Sequence, residues 1–194
     1  MSKMTKKLIV EATGTGLLAF FALSSGGDPF VVASILAISI FAFGKVSGGH
    51  FNAAVTMAMY VRKEISCTDT VKYIVAQVVG ALIAIALVNS LNDIQALKVG
   101  QLGGGVHPKG MFTEFLASAV LLFAIFGSIR SKISPAVGVG LAHIVLVPLG
   151  FTINTSIALA SFLNGNALVV VLTFAVAQIL GGIFAAKVDT ALNK

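Results

Sequence analysis

Charged side chains are scarce in this sequence. They make up 10% of its 194 residues, whereas a typical soluble domain has roughly 25%. Hydrophobic residues account for 57% of the chain, and the mean hydropathy is +1.01. The lack of charge excludes an ordinary soluble domain. Together with the long apolar runs, it predicts an integral membrane protein.

Tryptophan, tyrosine and cysteine are also rare or missing. With no tryptophan and two tyrosines, the aromatic belt that is common at membrane interfaces must be thin. The 14 phenylalanines are therefore expected to make much of the lipid contact. The single cysteine, Cys67, cannot form an internal disulfide, and no group of residues has the spacing of metal ligands. The sequence predicts no metal and no other cofactor.

Six apolar segments have about the length needed to cross a bilayer, which is roughly 20 residues for a helix. We predict an all-α membrane protein whose spanning helices cover residues 7–25, 29–45, 70–90, 111–129, 134–149 and 166–187. Basic residues precede the first segment, as they would in a signal peptide. Glu11 within that segment favours a helix that is retained.

Two shorter apolar segments begin at Asn52, in "SGGHFNAAVT", and at Asn154, in "GFTINTSIALA". Each continues for only about ten residues, and at about 1.5 Å per residue this length crosses half of the hydrocarbon core. We therefore predict two re-entrant half-helices that begin at the asparagines.

The two halves of the chain resemble each other. "VEATGTGLLAF" from Val10 resembles "TEFLASAVLLF" from Thr113, and "VAQVVGALIA" from Val75 resembles "VAQILGGIFA" from Val176, at a nearly constant offset of about 102 residues. We predict a single transmembrane domain over 1–194 with repeats over about 1–92 and 110–194, joined by an external loop over 91–110. Each repeat has an odd number of spans, so the second repeat is inverted in the membrane.

Basic residues are concentrated on one side of this topology. If both termini are cytoplasmic, 11 of the 13 lysines and arginines fall in cytoplasmic segments and 2 in external loops. The positive-inside rule requires such a distribution, so we expect a multi-pass protein with both termini in the cytoplasm. The net charge of +6 is explained by topology and needs no nucleic-acid partner.

Together these features resemble the major intrinsic protein family, the aquaporins, over essentially the whole chain. "SGGHFNAAVT" resembles the family's first signature, which ends in Asn-Pro-Ala followed by Val-Thr, and "AQVVGA" resembles its third-helix pattern. The resemblance implies an aquaporin-like bundle of six spanning helices plus two half-helices that meet near the middle of the bilayer. It also implies a homotetramer with one pore per subunit, located in the plasma membrane.

The two asparagines are the first candidate pore residues. If the half-helices meet, the amide NH2 groups of Asn52 and Asn154 can donate to the oxygen of a passing solute. The N-termini of the half-helices add unpaired N–H groups and partial positive charge. The family's proline is missing at both places, because Ala53 follows Asn52 and Thr155 follows Asn154.

Further positions correspond, by resemblance, to the narrowest part of the pore. They are Val32, Ile157, His143 or alternatively Ala142, and Phe151 or Thr152. Most family members have arginine where this chain has Ile157, and isoleucine offers neither the donors nor the charge of arginine. The resemblance therefore implies a filter that is more apolar than usual.

Three residues are expected to support the re-entrant loops. Carboxylates are costly at membrane depth, and the resemblance implies that Glu11 and Glu114 brace the loop backbones, which we favour over a proton relay. His50 is expected to steady the first loop rather than to act as a proton gate. Gln77 and Gln178 are expected to form hydrogen bonds between helices.

These residues favour a passive channel for water or small uncharged solutes over an enzyme. An ion would find few compensating contacts in a ring of Val32, Ile157 and Phe151. One alternative is an aquaglyceroporin-type channel for glycerol, urea, ammonia or hydrogen peroxide. A secondary transporter would share the topology but normally needs an additional site for a coupling ion. A non-conducting structural relative is the remaining alternative.

Overall fold

The computed structural model describes residues 1–91 and 108–193, and over these ranges every regular element is a helix. Most of the predicted connecting loop, 91–110, lies outside the described residues. The eight α-helices of the described residues, in chain order, are α1 (Lys3–Ser24), α2 (Pro29–Ser47), α3 (Ala53–Val61), α4 (Cys67–Ser90), α5 (Pro108–Arg130), α6 (Pro135–Leu146), α7 (Thr155–Ala160) and α8 (Leu168–Leu192). The predicted all-α class is confirmed, and α3 and α7 are the half-helices.

In the part of the chain that the structure describes, five helices are long and apolar enough to cross a bilayer, namely α1, α2, α4, α5 and α8. The predicted span over 134–149 is helical but shorter, because α6 ends at Leu146 and one 3-10 turn follows over Val147–Leu149. Pro148 explains this change. Proline has no N–H to donate to the α-helical ladder, and its ring clashes with the carbonyl four residues earlier.

Two helices begin earlier than predicted because a serine caps them. Ser2 accepts a hydrogen bond from Thr5 N at 3.1 Å, and α1 begins at Lys3. Ser66 accepts one from Asp69 N at 3.1 Å, and α4 begins at Cys67. An N-cap serine satisfies one of the free N–H groups of the first turn, so polar residues just before the apolar run are included in the helix.

The helices pack as two matching sets. In the first half α1 lies against α2 and α4, and in the second half α5 lies against α6 and α8. Each half-helix packs on the last helix of the other half, α3 on α8 and α7 on α4. The two halves therefore interlock, with the half-helices between them.

Two glycines permit the closest helix crossings. A Cβ atom added at Gly80 would lie 2.0 Å from the Ala12 carbonyl oxygen, and one added at Gly181 would lie 2.1 Å from the Phe115 carbonyl oxygen. Small residues allow membrane helices to make such backbone contact. The crossing of α1 with α4 is thus repeated in the crossing of α5 with α8.

Polar side chains lie inside the molecule, while many large apolar side chains are on its surface. Glu11, Gln77 and Gln178 are fully buried, whereas Phe41 is 81% exposed. A soluble protein has the reverse arrangement of large apolar and charged residues. An apolar exterior suits lipid, where polar groups must be satisfied internally, so the buried polar residues mark the region to examine for function.

A candidate pore at the half-helix junction

Asn52 and Asn154 are the N-caps of the two half-helices. The backbone of both is extended, with φ −160° and ψ 128° at Asn52 and φ −129° and ψ 105° at Asn154. Asn52 Oδ1 accepts from Ala54 N at 3.0 Å, and Asn154 Oδ1 accepts from Ser156 N at 3.0 Å and Ile157 N at 3.2 Å. Asparagine favours the N-cap because its oxygen satisfies these free N–H groups.

The amide nitrogens of the same asparagines link the two halves of the chain. Asn52 Nδ2 donates to the Ile153 carbonyl at 2.7 Å, and Asn154 Nδ2 donates to the Phe51 carbonyl at 2.8 Å. Each amide nitrogen carries two hydrogens. Within residues 1–91 and 108–193 each nitrogen has only this acceptor, so one N–H of each asparagine has no acceptor there.

The residues just before the asparagines have an unusual backbone conformation. The φ angle is +47° at Phe51 and +51° at Ile153, in the left-handed region that is rare for non-glycine residues and a true outlier for a β-branched one. This turn directs each carbonyl to the asparagine of the opposite half. Such strain persists only where the surrounding structure holds it.

Glu11 holds the first re-entrant loop. Its Oε1 accepts from Ser47 Oγ at 2.6 Å and from His50 N at 3.1 Å, and its Oε2 accepts from Phe51 N at 2.8 Å and from Gln77 Nε2 at 2.7 Å. Hydrogen bonds to a carboxylate are stronger than those between neutral groups. The carboxylate thereby stabilises the strained turn at Phe51.

Glu114 has the equivalent position in the second half. It accepts from Thr152 N at 2.9 Å, Thr152 Oγ1 at 2.8 Å, Ile153 N at 3.4 Å and Gln178 Nε2 at 2.8 Å. Each glutamate thus binds the backbone of its own re-entrant loop and the glutamine of a neighbouring helix. Neither glutamate lines either of the two cavities at the junction.

Two cavities flank the junction of the half-helices. The His50 cavity is lined by His50, Asn52 and Asn154, and by apolar residues of four helices that include Leu36, Ile40, Leu121, Ile125 and Val139. The lining of the His143 cavity includes Val32, His143, Phe151, Thr152, Asn154 and Ile157. Asn154 lines both cavities. The two cavities therefore lie on either side of the junction and come closest to each other at this asparagine.

The hydrogen bonds of the two cavity histidines assign their protons. His143 Nδ1 lies 2.9 Å from the Val139 carbonyl, which can only accept. His50 Nδ1 lies 3.1 Å from Thr56 Oγ1, whose own proton goes to the Asn52 carbonyl at 3.1 Å. Nδ1 is therefore the donor in both rings, and in the neutral form Nε2 is an acceptor. Over the described residues neither Nε2 has a hydrogen-bond partner.

The residues expected at the constriction meet in the His143 cavity. Its lining includes His143 but not Ala142, and it includes both Phe151 and Thr152. The Thr152 hydroxyl is already engaged, since it donates to Glu114 and accepts from Gln178 Nε2 at 3.1 Å. Thr152 therefore faces the cavity with its hydrogen bonds already made, which leaves the lining of the His143 cavity mainly apolar.

Two groups of residues in this region were not predicted from the sequence. The apolar residues that line the His50 cavity recur four residues apart, at Leu36 and Ile40 and at Leu121 and Ile125. That spacing is visible in the sequence, but it is also the spacing of ordinary helix packing. The second group is the hydroxyl of Ser156, which lies within the junction and carries no sequence signal that distinguishes it from a packed serine.

Half-helices that meet between two cavities, inside a bundle with an apolar exterior, define the class of this protein. It is an all-helical membrane channel built from two interlocked halves. Amide donors lie at the junction, and each cavity contains a histidine acceptor.

Comparison with known proteins agrees with this class. The sequence model of the family described as major intrinsic protein matches residues 1–168. The chain is 33% identical to "Glycerol uptake facilitator protein-like 6" of Lactiplantibacillus plantarum, covering 93% of this chain and 95% of that protein. It is 30% identical to "Aquaporin Z" of Photorhabdus laumondii, covering 93% of this chain and 94% of that protein.

A solved structure has the same fold. The X-ray structure of the aquaglyceroporin from Plasmodium falciparum superposes with a TM-score of 0.80 at 18% identity, covering 98% of this chain and 97% of that chain. The chain belongs to the major intrinsic protein family. The family and the fold expected from the sequence are thereby confirmed, and members of this family are channels rather than enzymes.

Proposed function

We propose that this chain is a passive transmembrane channel for water and small uncharged solutes, with no enzymatic activity of its own. The observation that carries the proposal is the free N–H donor on each of Asn52 and Asn154, at the point where the two cavities approach each other. A donor pair that is held by backbone contacts is ready to bind an oxygen atom without rearrangement.

The order of polar groups along the path suits water. A molecule in either cavity can donate a hydrogen bond to Nε2 of His50 or His143, and at the junction its oxygen can accept from an asparagine. The half-helix N-termini place partial positive charge at the same point. Cations are disfavoured there by charge, whereas a neutral molecule with an oxygen acceptor is stabilised.

The filter supports an uncharged substrate. Val32, Phe151 and Ile157 present hydrocarbon to the His143 cavity, and an ion that loses its hydration there would gain little in exchange. The transfer of an unpaired ion into such surroundings costs many kcal/mol. Water and other small neutral solutes lose far less on entry, so we propose that they are the substrates.

The test is water flux in liposomes that contain the purified protein. Light scattering after an osmotic step should show shrinkage faster than in empty liposomes. Ile157→Trp should reduce the rate to that of empty liposomes, because the indole would fill the His143 cavity. The matched control is Val145→Trp, which places the same side chain on the exposed surface of α6 and should keep the flux. Folded protein without any flux would contradict the proposal for water.

Glycerol is the second candidate substrate. An apolar filter without arginine offers hydrocarbon contact to a carbon backbone, and one of the similar proteins is called a glycerol uptake facilitator-like protein. Reswelling of the liposomes in glycerol after the first shrinkage would establish glycerol permeation. Shrinkage without reswelling would indicate a filter that passes water and excludes glycerol.

The contacts of the two glutamates favour a channel over a secondary transporter. Glu11 and Glu114 each bind the backbone of their own re-entrant loop, and neither lines a cavity where a coupling ion could bind. Flux that saturates and is driven uphill by a proton or sodium gradient would support a transporter instead.

We propose the same topology and assembly as the sequence predicted. Both termini lie in the cytoplasm, the chain forms one domain of two inverted repeats in the plasma membrane, and four copies form a tetramer with one pore each. Two observations support this proposal. Basic residues are concentrated in the segments that the topology places in the cytoplasm, and large apolar side chains are exposed on the surface of the molecule. Crosslinking of the protein in native membranes tests the assembly. We expect the largest crosslinked product to be a tetramer.

A further inference from the structure

The half-helices keep two N–H groups that the family's usual sequence would remove. In an Asn-Pro-Ala motif the residue after asparagine has no N–H, whereas Ala53 and Thr155 retain theirs. Both groups are buried, and both donate across the junction. Ala53 N donates to Ser156 Oγ at 3.0 Å, and Thr155 N donates to Asn52 Oδ1 at 3.1 Å.

The two bonds do not follow the repeat. Ser156 corresponds to Ala54 in the first half, and alanine has no hydroxyl. The second half-helix therefore provides a hydroxyl acceptor for Ala53 N, but the first half-helix has no equivalent hydroxyl for Thr155 N. Thr155 N donates to the Asn52 amide oxygen instead. Ser156 is fully buried, so no water competes for its hydroxyl.

Ser156 also continues the hydrogen-bond network beyond the junction. Its Oγ lies 3.3 Å from Gln77 Oε1, which can only accept, so the hydroxyl proton points to Gln77. Gln77 Nε2 in turn donates to Glu11 Oε2 at 2.7 Å and to Thr56 Oγ1 at 2.9 Å. One hydroxyl thus connects the start of α3, the start of α7 and the glutamate that holds the first re-entrant loop.

We propose that Ser156 is a positioning residue that takes over the role of the missing proline at residue 53. It accepts the N–H that a proline would lack and holds the two half-helix ends together, which sets the distance between the pore amides of Asn52 and Asn154. Its effect on flux rests on the proposed channel function. Its effect on stability does not.

The substitution Ala53→Pro removes the N–H that donates to the Ser156 hydroxyl. The ψ angle of 128° at Asn52 is in the range that a following proline requires, and residue 53 is the first helical position, which tolerates proline well. In Ala53→Pro the N–H is gone, and the Ser156 hydroxyl has no junction donor to satisfy. In the natural background Ser156→Ala leaves a buried N–H without an acceptor.

The experiment is a double-mutant cycle of Ser156→Ala and Ala53→Pro, with water permeability expressed per folded channel and the melting temperature measured in detergent. Ser156→Ala alone should lower permeability about fivefold and lower the melting temperature, because it leaves the buried Ala53 N–H without an acceptor. The coupling free energy between residues in contact typically corresponds to a change of this size. In the Ala53→Pro background the same substitution should change permeability less than about twofold, because the coupled donor is absent and only the hydrogen bond from Ser156 to Gln77 Oε1 is lost.

Thr155→Pro is the control background. It removes an N–H that does not contact Ser156, together with the hydroxyl that donates to Gln178 Oε1 at 2.8 Å, and its own baseline is therefore the reference. Against that baseline Ser156→Ala should still lower permeability about fivefold. If Ser156→Ala does not fold alone, the inference requires that it folds together with Ala53→Pro. Equal effects of Ser156→Ala in all three backgrounds, no effect in any of them, or failure of Ala53→Pro to fold would overturn the inference.

The two readouts separate this inference from the proposed function. If the natural protein has no flux for water, glycerol or ammonia, the channel proposal fails, yet the melting temperatures still report whether Ser156 and Ala53 are coupled. If the natural protein conducts and the cycle is additive in both readouts, the channel proposal stands and the role of Ser156 is refuted.

Discussion

At the scale of single residues, the buried carboxylates of Glu11 and Glu114 hold the backbone of the two re-entrant loops in place. Glu114 is 2% exposed and accepts hydrogen bonds from the backbone of Thr152 and Ile153. These bonds hold the left-handed turn at Ile153 that directs its carbonyl to Asn52. Loss of the carboxylate should therefore affect both stability and the position of an asparagine that does not touch it.

We expect Glu114→Gln to destabilise the protein by about 2 kcal/mol or more, because its amide NH2 would face groups that are themselves donors. The measurement is the melting temperature in detergent, followed by size-exclusion chromatography after heating. The control is Glu64→Gln, which alters a partly exposed carboxylate paired with Arg62 at 2.7 Å and should cost less than about 0.5 kcal/mol. Equal melting temperatures for the two variants would contradict this role of Glu114.

At the scale of helices, close backbone contact decides which positions must stay small. Gly181 lies where α8 crosses α5, and a Cβ atom added there would lie 2.1 Å from the Phe115 carbonyl oxygen, whereas a Cβ at Gly140 on α6 would lie 3.8 Å from Ala37 Cβ. The first distance cannot be relieved by rotation of a side chain, because the contacted atom belongs to the backbone. The second distance is an ordinary van der Waals contact.

We expect Gly181→Ala to prevent folding or to destabilise the protein by about 3 kcal/mol, at the upper end of the cost of overpacking. Gly140→Ala should be neutral or stabilising by up to about 1 kcal/mol, because alanine has the higher helix propensity. The yield of monodisperse protein and its melting temperature compare the two. A Gly181→Ala variant as stable as Gly140→Ala would contradict the close crossing of α5 and α8.

A second feature at this scale is an ion cluster that joins three helices at one end of the bundle. Asp189 of α8 is 4% exposed and forms ion pairs with Arg62, at the end of α3, and with Arg130, at the end of α5. The Arg62 guanidinium also lies 4.4 Å from the centre of the Phe126 ring. The cluster thus fixes the far end of the half-helix that begins at Asn52.

We expect Asp189→Asn to destabilise the protein by about 3 kcal/mol, because it removes the buried negative charge that pairs with both Arg62 and Arg130. Permeability per folded channel should stay close to that of the natural protein, since Asp189 lines neither pore cavity. Asp69→Asn is the control, as it removes a partly exposed pair with Lys72 at 3.8 Å. A normal melting temperature for Asp189→Asn would contradict a role for the cluster in stability.

At the scale of the whole molecule, the orientation in the membrane can be tested with the natural cysteine. Cys67 is the single cysteine of the chain and is exposed at the start of α4. The charge distribution predicts that this end of α4 is cytoplasmic. Lys109, exposed at the start of α5, should lie on the opposite side.

We expect an impermeant maleimide to label Cys67 in intact cells only after the membrane is permeabilised. Lys109→Cys in a Cys67→Ser background should be labelled without permeabilisation, and Cys67→Ser alone should not be labelled at all. Labelling of Cys67 from outside intact cells, with Lys109→Cys protected, would reverse the proposed topology.

The amino-acid sequence was sufficient to identify the membrane class, the helices, the repeat and the two asparagines at the half-helix starts. These are properties of composition, segment length and local capping, which depend on residues close together in the chain. The bounds were less accurate where a single residue acts locally, as Ser66 does by capping α4 and Pro148 by ending α6 early. The family resemblance added the candidate lining residues, including the open choice between Ala142 and His143.

Only the tertiary structure decided which groups meet. Whether Ala142 or His143 reaches the cavity depends on the rotation of α6 against its neighbours, and a shift of one residue along a helix rotates a side chain by about 100°. The acceptor that Ser156 provides for Ala53 N comes from about 100 residues away, and the carbonyl for Asn52 comes from the opposite half. Hydrogen bonds act over about 3 Å in space, so partners this distant in the chain become visible only once both halves are folded together.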